Sequence, residues 1–275
     1  MNALLTIAGK EVRDGMRNRW VVAATLVLAA LALALAFLGS APTGTVGASR
    51  LAVTVVSLAS LTIFLVPLIA LLLAFDAIVG DMERGTMLLL LTYPVARWQV
   101  VVGKFLGHVG LLAVATVLGY GAAGLALALT GGAEGEPWGP FLGLIGSSVL
   151  LGAAFLSIGY LASAIVRERA TAAGIAVGVW LLFVLLFDLA LLGVLAASAG
   201  KAVSASVVGW LLLANPADAF RIFNLTGSAE VTQLSGLAGL TDQMAISPVL
   251  TLTALVAWVV APLALAGTIF ARRQL

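Results

Sequence analysis

The chain has 275 residues, of which 62% are apolar and only 9% are charged, and its mean hydropathy is +1.18. A soluble domain carries about 25% charged residues, so this chain has too little charge to cover a water-facing surface. These figures exclude a soluble globular protein and predict an integral membrane protein. The net charge is +2, but the basic residues are scattered between apolar runs, and we predict no nucleic-acid partner.

Six largely uncharged runs are each long enough to cross about 30 Å of hydrocarbon as a helix. They predict an all-α integral membrane protein with six spans in a single transmembrane domain, residues 1–275. The predicted spans are residues 21–38, 51–75, 105–129, 141–166, 170–197 and 249–270. A shorter apolar run at 207–214 ends at Asn215-Pro216, which predicts a helix too short to cross.

Residues 1–20 combine apolar positions at three- to four-residue spacing with a charged side. This pattern predicts an amphipathic elbow helix at the membrane surface, either a simple anchor or an element that sets how the first span enters the bundle. Of the 14 Lys and Arg residues, 11 lie in the N-terminus, the tail and alternate connections. Because cytoplasmic loops retain positive charge, both termini are predicted to be cytoplasmic.

The connection at residues 76–98 carries charge at one end and an apolar run at the other. A short helix that starts near Gly80 would place Asp81 and Glu83 in its first turn, where carboxylates complement the helix dipole. The leucine run at 88–91 is expected to tuck back under the spans, since four exposed leucines would form an apolar patch. The pattern favours a projecting charged helix that a partner can bind over an ordinary solvated loop.

This connection resembles one family of membrane proteins. The motif Glu83-Arg84-Gly85-Thr86, followed by Leu-Leu-Thr-Tyr-Pro-Val at 90–95 and then Gly103-Lys104, is similar to the ABC-type-2 permeases, and Lys10-Glu11-Val12-Arg13 adds to the likeness. The resemblance implies a homodimer of six-span subunits in membrane lipid, driven by two separate ATPase subunits, with residues 80–91 as the coupling helix. The implied ATPase-coupling residues are Gly80, Asp81, Glu83, Arg84, Gly85 and Thr86.

The resemblance also implies that ATP and Mg²⁺ bind the partner ATPase and that this chain is not an enzyme. A phosphate-binding loop needs Gly, four residues, Gly-Lys and then Ser or Thr, and none of Lys10, Lys104 and Lys201 lies in such a sequence. The chain has no Cys and a single histidine, His108, which we expect to be structural. We therefore predict no catalytic, cofactor-binding or metal-binding residue on this chain.

Asp188 lies well inside the fifth predicted span, where a charged carboxylate costs about 2.5–3.5 kcal/mol. One interpretation is an intramembrane polar site on a transport route, or a partner for an external base such as Lys201. The other is a carboxylate near the outer end of the span that is protonated or faces water at the dimer seam. Under both interpretations we expect Asp188 to face protein rather than lipid.

The outer segment, residues 198–248, is long for a connection without structure of its own. Its length and polarity favour a docking platform for a periplasmic accessory protein over a mere lid. The residues expected to contact that protein are Phe220, Arg221, Ile222 and Phe223.

The implied function is that of a permease subunit that couples ATP hydrolysis on its partner to one of two outputs. These are the export of a sulfur-containing species and the motion of a periplasmic partner, and the residues leave both open. One alternative is a general ABC-type-2 exporter of lipid, glycan or drug. A second alternative is a secondary transporter or channel, for which more intramembrane charge or more broken spans are typical.

Overall fold

The computed structural model describes residues 3–38, 49–132, 135–197, 205–226 and 246–273, and every regular element in these ranges is helical. Helices are the expected solution in lipid, because each segment satisfies its own backbone N–H and C=O groups. In chain order the helices are α1 (Ala3–Arg17), α2 (Arg19–Leu38), α3 (Arg50–Ala74), α4 (Val79–Glu83), α5 (Thr86–Leu91), α6 (Arg97–Leu129), α7 (Gly139–Ile165), α8 (Arg169–Leu181), a π-helical segment (Leu182–Leu186), α9 (Phe187–Ala197), α10 (Ala205–Leu213), α11 (Pro216–Leu225) and α12 (Pro248–Arg272).

Within the described ranges, five helical stretches are long and apolar enough to cross a membrane. They are Arg50–Glu83, Arg97–Leu129, Gly139–Ile165, Arg169–Val194 and Pro248–Arg272. The first predicted span, residues 21–38, falls in α2, which meets this criterion only together with α1, and the pair is bent by 71°. The chain is thus a multi-pass membrane protein, and its described residues contain five candidate spans, or six if the bent pair counts as one.

Local sequence explains where the helices begin. Ser49 Oγ accepts a hydrogen bond from the N–H of Ala52 (3.1 Å) at the start of α3, which satisfies one of the free donors of the first turn. α6 begins at Arg97, eight residues before the predicted span 105–129, because the helix includes a polar first turn that precedes the apolar run. There Gln99 Oε1 accepts a hydrogen bond from the N–H of Ala96 (2.9 Å).

α7 is the central helix of the bundle and packs against α3, α6, α11 and α12. Its side chains Leu151, Phe155 and Tyr160 are wholly buried. The fifth span, which comprises α8, the π-helical segment and α9, is different. Only 11% of its most apolar stretch is buried, against 61% for α7, so most of its surface is left for lipid or for another protein.

α1 lies along α6, where two glycines remove side chains that would keep the helices apart. A Cβ atom at Gly107 would come within 2.5 Å of Glu11 Cβ and 2.9 Å of the Ala8 carbonyl oxygen, and one at Gly103 would come within 3.0 Å of Ile7 Cβ. Small residues at four-residue spacing permit such close helix packing. The Gly103/Gly107 pair therefore forms the surface against which α1 packs.

The described part of the outer segment forms α10 and α11. α10 ends before Asn215-Pro216, and α11 packs against α3, α7, α12 and the π-helical segment. Residues 198–204 and 227–245 of the predicted docking platform, with Lys201 among them, lie outside the described residues.

Candidate functional site

The connection between α3 and α6 folds as two short helices separated by a left-handed residue. α4 ends at Glu83, Gly85 has φ = 72°, and α5 begins at Thr86. Glycine adopts a positive φ without the steric penalty that a side chain would bring. The single helix expected over residues 80–91 is thus broken in the middle, at Gly85.

Gly80 makes room for a cluster of charges at the start of this connection. A Cβ atom at Gly80 would lie 3.0 Å from Asp76 Oδ2 and 3.2 Å from an Arg84 guanidinium nitrogen. These two groups pair at 3.5 Å (Arg84 Nη1 to Asp76 Oδ2). Arg84 also donates to Asp81 Oδ1 at 3.0 Å, and this hydrogen bond raises the pKa of the Arg84 guanidinium above its ordinary value.

Asp81 is the residue on which most of these contacts converge. Its Oδ1 accepts hydrogen bonds from Arg84 and from Thr86 Oγ1 (3.1 Å), while its Oδ2 lies 3.0 Å from Lys104 Nζ in α6. The Lys104 side chain is only 5% exposed, and its Nζ donates to Glu11 Oε1 in α1 at 2.7 Å. A buried ammonium between two carboxylates therefore joins α4, α6 and α1.

The same network reaches the central helix through the single histidine. His108 Nε2 lies 3.6 Å from Glu11 Oε2, and His108 Nδ1 is 2.8 Å from the hydroxyl of Tyr160 in α7. The Tyr160 ring also packs edge-on against Phe105. His108 was expected to be structural, and its partners come from α1 and α7, which are distant in the sequence.

A second set of contacts ties α4 to the turn between α7 and α8. Arg169 Nη2 lies 2.9 Å from Asp76 Oδ2, and the Arg169 guanidinium stands over the Phe75 ring at 5.7 Å. The backbone N–H of Arg169 donates to Glu83 Oε1 at 2.7 Å. In addition, Ser163 Oγ in α7 accepts the backbone N–H groups that precede and open α4, at 3.1 and 3.0 Å. α4 is thereby attached to four other helices.

The outward side of α4 and α5 combines charge with exposed apolar side chains. Glu83, Arg84 and Thr86 are exposed, and Leu88 and Leu89 are 57% and 68% exposed. The expectation that the whole leucine run tucks under the spans is therefore wrong for these two leucines. Successive residues of a helix point about 100° apart, so four consecutive leucines cannot all face the bundle. We call these five residues the α4–α5 surface.

At the other end of the fifth span, Asp188 faces protein, as expected, and its partner is Arg221. Arg221 Nη2 lies 2.7 Å from Asp188 Oδ2, and both side chains are about 30% exposed. Phe220 is wholly buried and Ile222 is 8% exposed, so in this conformation both contact this chain rather than a partner. The predicted accessory-protein contact thus retains only Arg221 and Phe223, which are partly exposed.

Sequence reasoning assigned no role to several members of the network on α4. Arg169 enters the sequence analysis only as a positive charge of a cytoplasmic connection, and Lys104 only as such a charge and as part of the family motif. One signal was available, since a lysine directly before an apolar run needs a partner if it becomes buried. The partner itself could not be identified, because Glu11 lies 93 residues away in the chain.

Comparison with known proteins identifies the class to which this arrangement belongs. Residues 5–275 match the family model described as "ABC-2 family transporter protein". The chain therefore belongs to the ABC-2 transporter family, which confirms the predicted resemblance.

Two curated relatives are similar to the chain over almost its whole length, and each is called "Probable ABC transporter permease protein NosY". The protein from Stutzerimonas stutzeri is 46% identical over 277 aligned positions, which cover 99% of both chains. The protein from Pseudomonas aeruginosa is 48% identical and is covered completely, as is this chain. Proteins named as permeases of ABC transporters are membrane subunits, and the chain is an ABC-2 permease.

Proposed function

We propose that this chain couples ATP hydrolysis on a separate ATPase subunit to movement of its membrane spans, with the α4–α5 surface as the docking site. The observation that carries this proposal is that an exposed surface of charged and apolar side chains lies directly over a buried ion pair, which we call the anchor. Glu83, Arg84, Leu88 and Leu89 are available to a partner, while Asp81 directly behind them is bound to buried Lys104.

The anchor explains how a push on α4 would reach the rest of the bundle. A buried ion pair resists separation, because breaking it leaves an uncompensated charge. Movement of Asp81 would therefore carry Lys104 with α6, and through Glu11 it would carry α1. The contacts of Arg169 with Asp76 and Glu83 would pass the same movement to the fifth span.

The assembly that fits this function is a homodimer with two ATPase subunits that bind ATP and Mg²⁺. The sparsely covered fifth span supports the pairing of two copies, since a protein partner can cover an apolar helix that its own chain leaves bare. The positive connections support a bacterial inner membrane location with both termini in the cytoplasm, which would place the α4–α5 surface on the side where ATP is available.

The names of the two relatives support a place in the Nos system. We propose that this chain is the permease of a NosDFY-type complex that serves assembly of the copper sites of nitrous oxide reductase. In this complex the ATPase would be NosF-like and the periplasmic accessory protein NosD-like. The output would be export of a sulfur-containing species or motion of the accessory protein.

Copper itself is a poor candidate for the cargo. Cu(I) is transferred between soft thiolate and thioether ligands, and the chain has no cysteine, one histidine and five methionines. Met1, Met16, Met82 and Met87 lie before or between the first spans, and Met244 lies in the outer segment, so no methionine falls within a predicted span.

The docking proposal is tested with the Glu83→Ala/Arg84→Ala double variant, in membranes that also contain the ATPase subunit. We expect retained expression, with loss of most of the ATPase that co-purifies and loss of ATP-dependent maturation or transport. Arg272→Ala, an exposed arginine at the end of α12, is the matched control and should behave as wild type. Unchanged coupling in the double variant would count against the docking site.

The composition of the complex is tested by mild extraction followed by mass measurement of everything that remains bound. Two copies of this chain with two ATPases and a periplasmic protein would support the maturation role. A complex that is fully active without a periplasmic protein would favour the general exporter, and an active chain without any ATPase would favour a secondary transporter or channel.

One observation favours the general exporter as the second candidate. An open apolar groove of about 600 Å³ lies between α7, α10 and α12. It is lined by residues such as Leu161, Trp210, Leu213, Leu250 and Trp258. A groove of this size and polarity suits an acyl chain, so lipid bound there with transport that depends on ATP would support this alternative.

A further inference from the structure

α11 carries three polar side chains that are buried among apolar helices. Asn215 is 0%, Asp218 1% and Asn224 5% exposed. A buried polar group without a hydrogen-bond partner costs about 1–3 kcal/mol, so the partners of these side chains decide where α11 can sit. Asn215 and Asp218 connect to the fifth span, and Asn224 connects to α7.

The amide of Asn215 joins α11 to the π-helical segment. Its Nδ2 donates to the carbonyl oxygen of Phe183 at 2.8 Å and to Asp218 Oδ2 at 2.7 Å. Its Oδ1 accepts from the backbone N–H of Ala217 at 2.9 Å, which caps α11. One side chain thus begins α11 and also holds the fifth span at its π-helical turn, a rare feature that is frequent at functional sites.

Arg221 makes a second connection to the same span. Its guanidinium donates to Asp188 Oδ2 in α9 at 2.7 Å and to Asp218 Oδ1. Hydrogen bonds between charged groups are stronger than neutral ones. Phe183 and Asp188 are five residues apart and the π-helical segment has i→i+5 hydrogen bonds, so α11 contacts the fifth span at two points about one turn apart rather than through a single contact.

The hydrogen bonds between α11 and α7 involve no charged group, unlike the contact of Arg221 with the fifth span. Asn224 Nδ2 donates to Ser147 Oγ at 2.9 Å and Ser147 Oγ donates to Asn224 Oδ1 at 3.1 Å. Both hydrogen bonds join neutral groups, and α11 also packs against α7. If the fifth span moves relative to α7, the charged and amide contacts favour α11 following the fifth span.

We propose that Asn215 and Arg221 are positioning residues that fix α11 to the fifth span, so that α11 moves with this span. We call Asn215, Asp218 and Arg221 the α11 latch. The inference rests on the proposed function for the source of movement, and it names the route by which that movement leaves the bundle towards an accessory protein.

The test measures distances between pairs of spin labels in the complete transporter, with and without ATP. The chain has no cysteine, so Ser60→Cys in α3, Leu192→Cys in α9 and Thr226→Cys after α11 give specific labels. We expect ATP to change the distance between positions 226 and 60 and to leave the distance between positions 226 and 192 unchanged.

The variant that isolates the latch is Asn215→Ser. Serine retains an N-cap oxygen for α11 but is too short to reach the Phe183 carbonyl, so we expect ATP now to change the distance between positions 226 and 192. Arg221→Gln breaks the other connection, because its shorter, uncharged side chain cannot form the ion pair with Asp188, and should act in the same direction. Distances like those of the wild type in both variants would overturn the latch.

A second measurement separates the latch from the proposed function, because it needs no ATP. In the chain alone in nanodiscs, Asn215→Ser should accelerate hydrogen exchange of the amides at 182–188 by about tenfold. Asn224→Ala removes the hydrogen bonds to Ser147 in α7 and the bond to the Phe220 carbonyl within α11, but no contact with the fifth span, and should leave those amides unchanged. Equal exchange in both variants would overturn the latch, whereas a wild-type complex that ATP does not move would contradict the proposed function instead.

Discussion

At the scale of single residues, Lys104 is the buried cation that joins α6 to α1 and α4. Its ammonium is 2.7 Å from Glu11 and 3.0 Å from Asp81, and its side chain is 5% exposed. Two carboxylates around one buried cation are stable only as a set, because each removal leaves a charge without its counter-charge.

Lys104→Met should therefore destabilise the fold strongly. We expect a loss of about 3 kcal/mol in the free energy of unfolding, the lower end of the usual range for broken buried pairs, since Asp81 keeps Arg84. Lys10→Met is the matched control. The Lys10 side chain is 65% exposed and pairs with Asp14 on the surface, so it should cost less than about 1 kcal/mol. Denaturant unfolding in mixed micelles measures both, and equal effects would contradict the role of Lys104.

Asp218 gives a prediction about pH. Burial raises the pKa of this carboxyl to about 7, against the opposing charge of Arg221 and with the neighbouring charge of Asp188. Because the folded chain then binds the proton more tightly than the unfolded chain, this contribution to stability is fully present below about pH 4 and is lost as the pH rises to about 7.

Thermal midpoints of the wild type in nanodiscs should accordingly fall between about pH 4 and pH 7 and then level off. Asp218→Asn, which cannot release a proton, should show a smaller fall over the same interval. Asp14→Asn, a 58% exposed carboxylate, should leave the wild-type profile unchanged. Parallel profiles of the wild type and Asp218→Asn would show that Asp218 does not titrate in this interval.

At the scale of elements, most helices of this bundle can be predicted from one sequence, and their mutual contacts cannot. The apolar runs that predict α3 and α7 are bounded by polar or turn residues, so their ends differ from the prediction by only one or two residues. The break at Gly85, the π-helical turn at Leu182–Leu186 and the seat of α1 on α6 depend on neighbours from elsewhere in the chain. Periodicity within a segment contains no information about such neighbours.

The seat of α1 is tested by filling one of its glycines. In Gly107→Ala the new Cβ would lie 2.5 Å from Glu11 Cβ and close to backbone, so α1 must lift away from α6. We expect a cost of about 1–3 kcal/mol and faster proteolysis of α1. Gly121→Ala lies on the same helix with nothing within 4 Å of the new atom and should be neutral or slightly stabilising. If both variants unfold alike, α1 is not held by this contact.

At the scale of the whole molecule, the distribution of positive charge predicts which ends lie in the cytoplasm. Because the natural chain lacks cysteine, single cysteines report their side of the membrane without background. A membrane-impermeant thiol reagent applied from the periplasm should label Pro137→Cys, between α6 and α7, and should not label Thr86→Cys or Arg272→Cys. Labelling of Thr86→Cys from the periplasm would place the α4–α5 surface on the wrong side for an ATPase.

The family of the protein can be predicted from its sequence, but only some of the residues in the candidate site can. The motif from Glu83 to Thr86 pointed to the family that the comparisons confirm. Asp76 and Arg169, which help to hold this motif in place, belong to no local sequence pattern, and the Gly103-Lys104 pattern does not identify the partners of Lys104. Ion pairs between distant segments are a product of folding, and a single sequence does not record them.

The length of α6 has a consequence for the lipid in which this protein works. With 33 residues, α6 is about 50 Å long, whereas the hydrocarbon of a typical bilayer is about 30 Å thick. If the excess is shared equally between the two ends, about 10 Å of α6 projects at each end, and Lys104, seven residues from the start of the helix, would lie where α6 emerges from the acyl chains. A bilayer with longer acyl chains would draw this ammonium and its two carboxylates towards hydrocarbon, so membrane thickness acts directly on the joint between α1, α4 and α6.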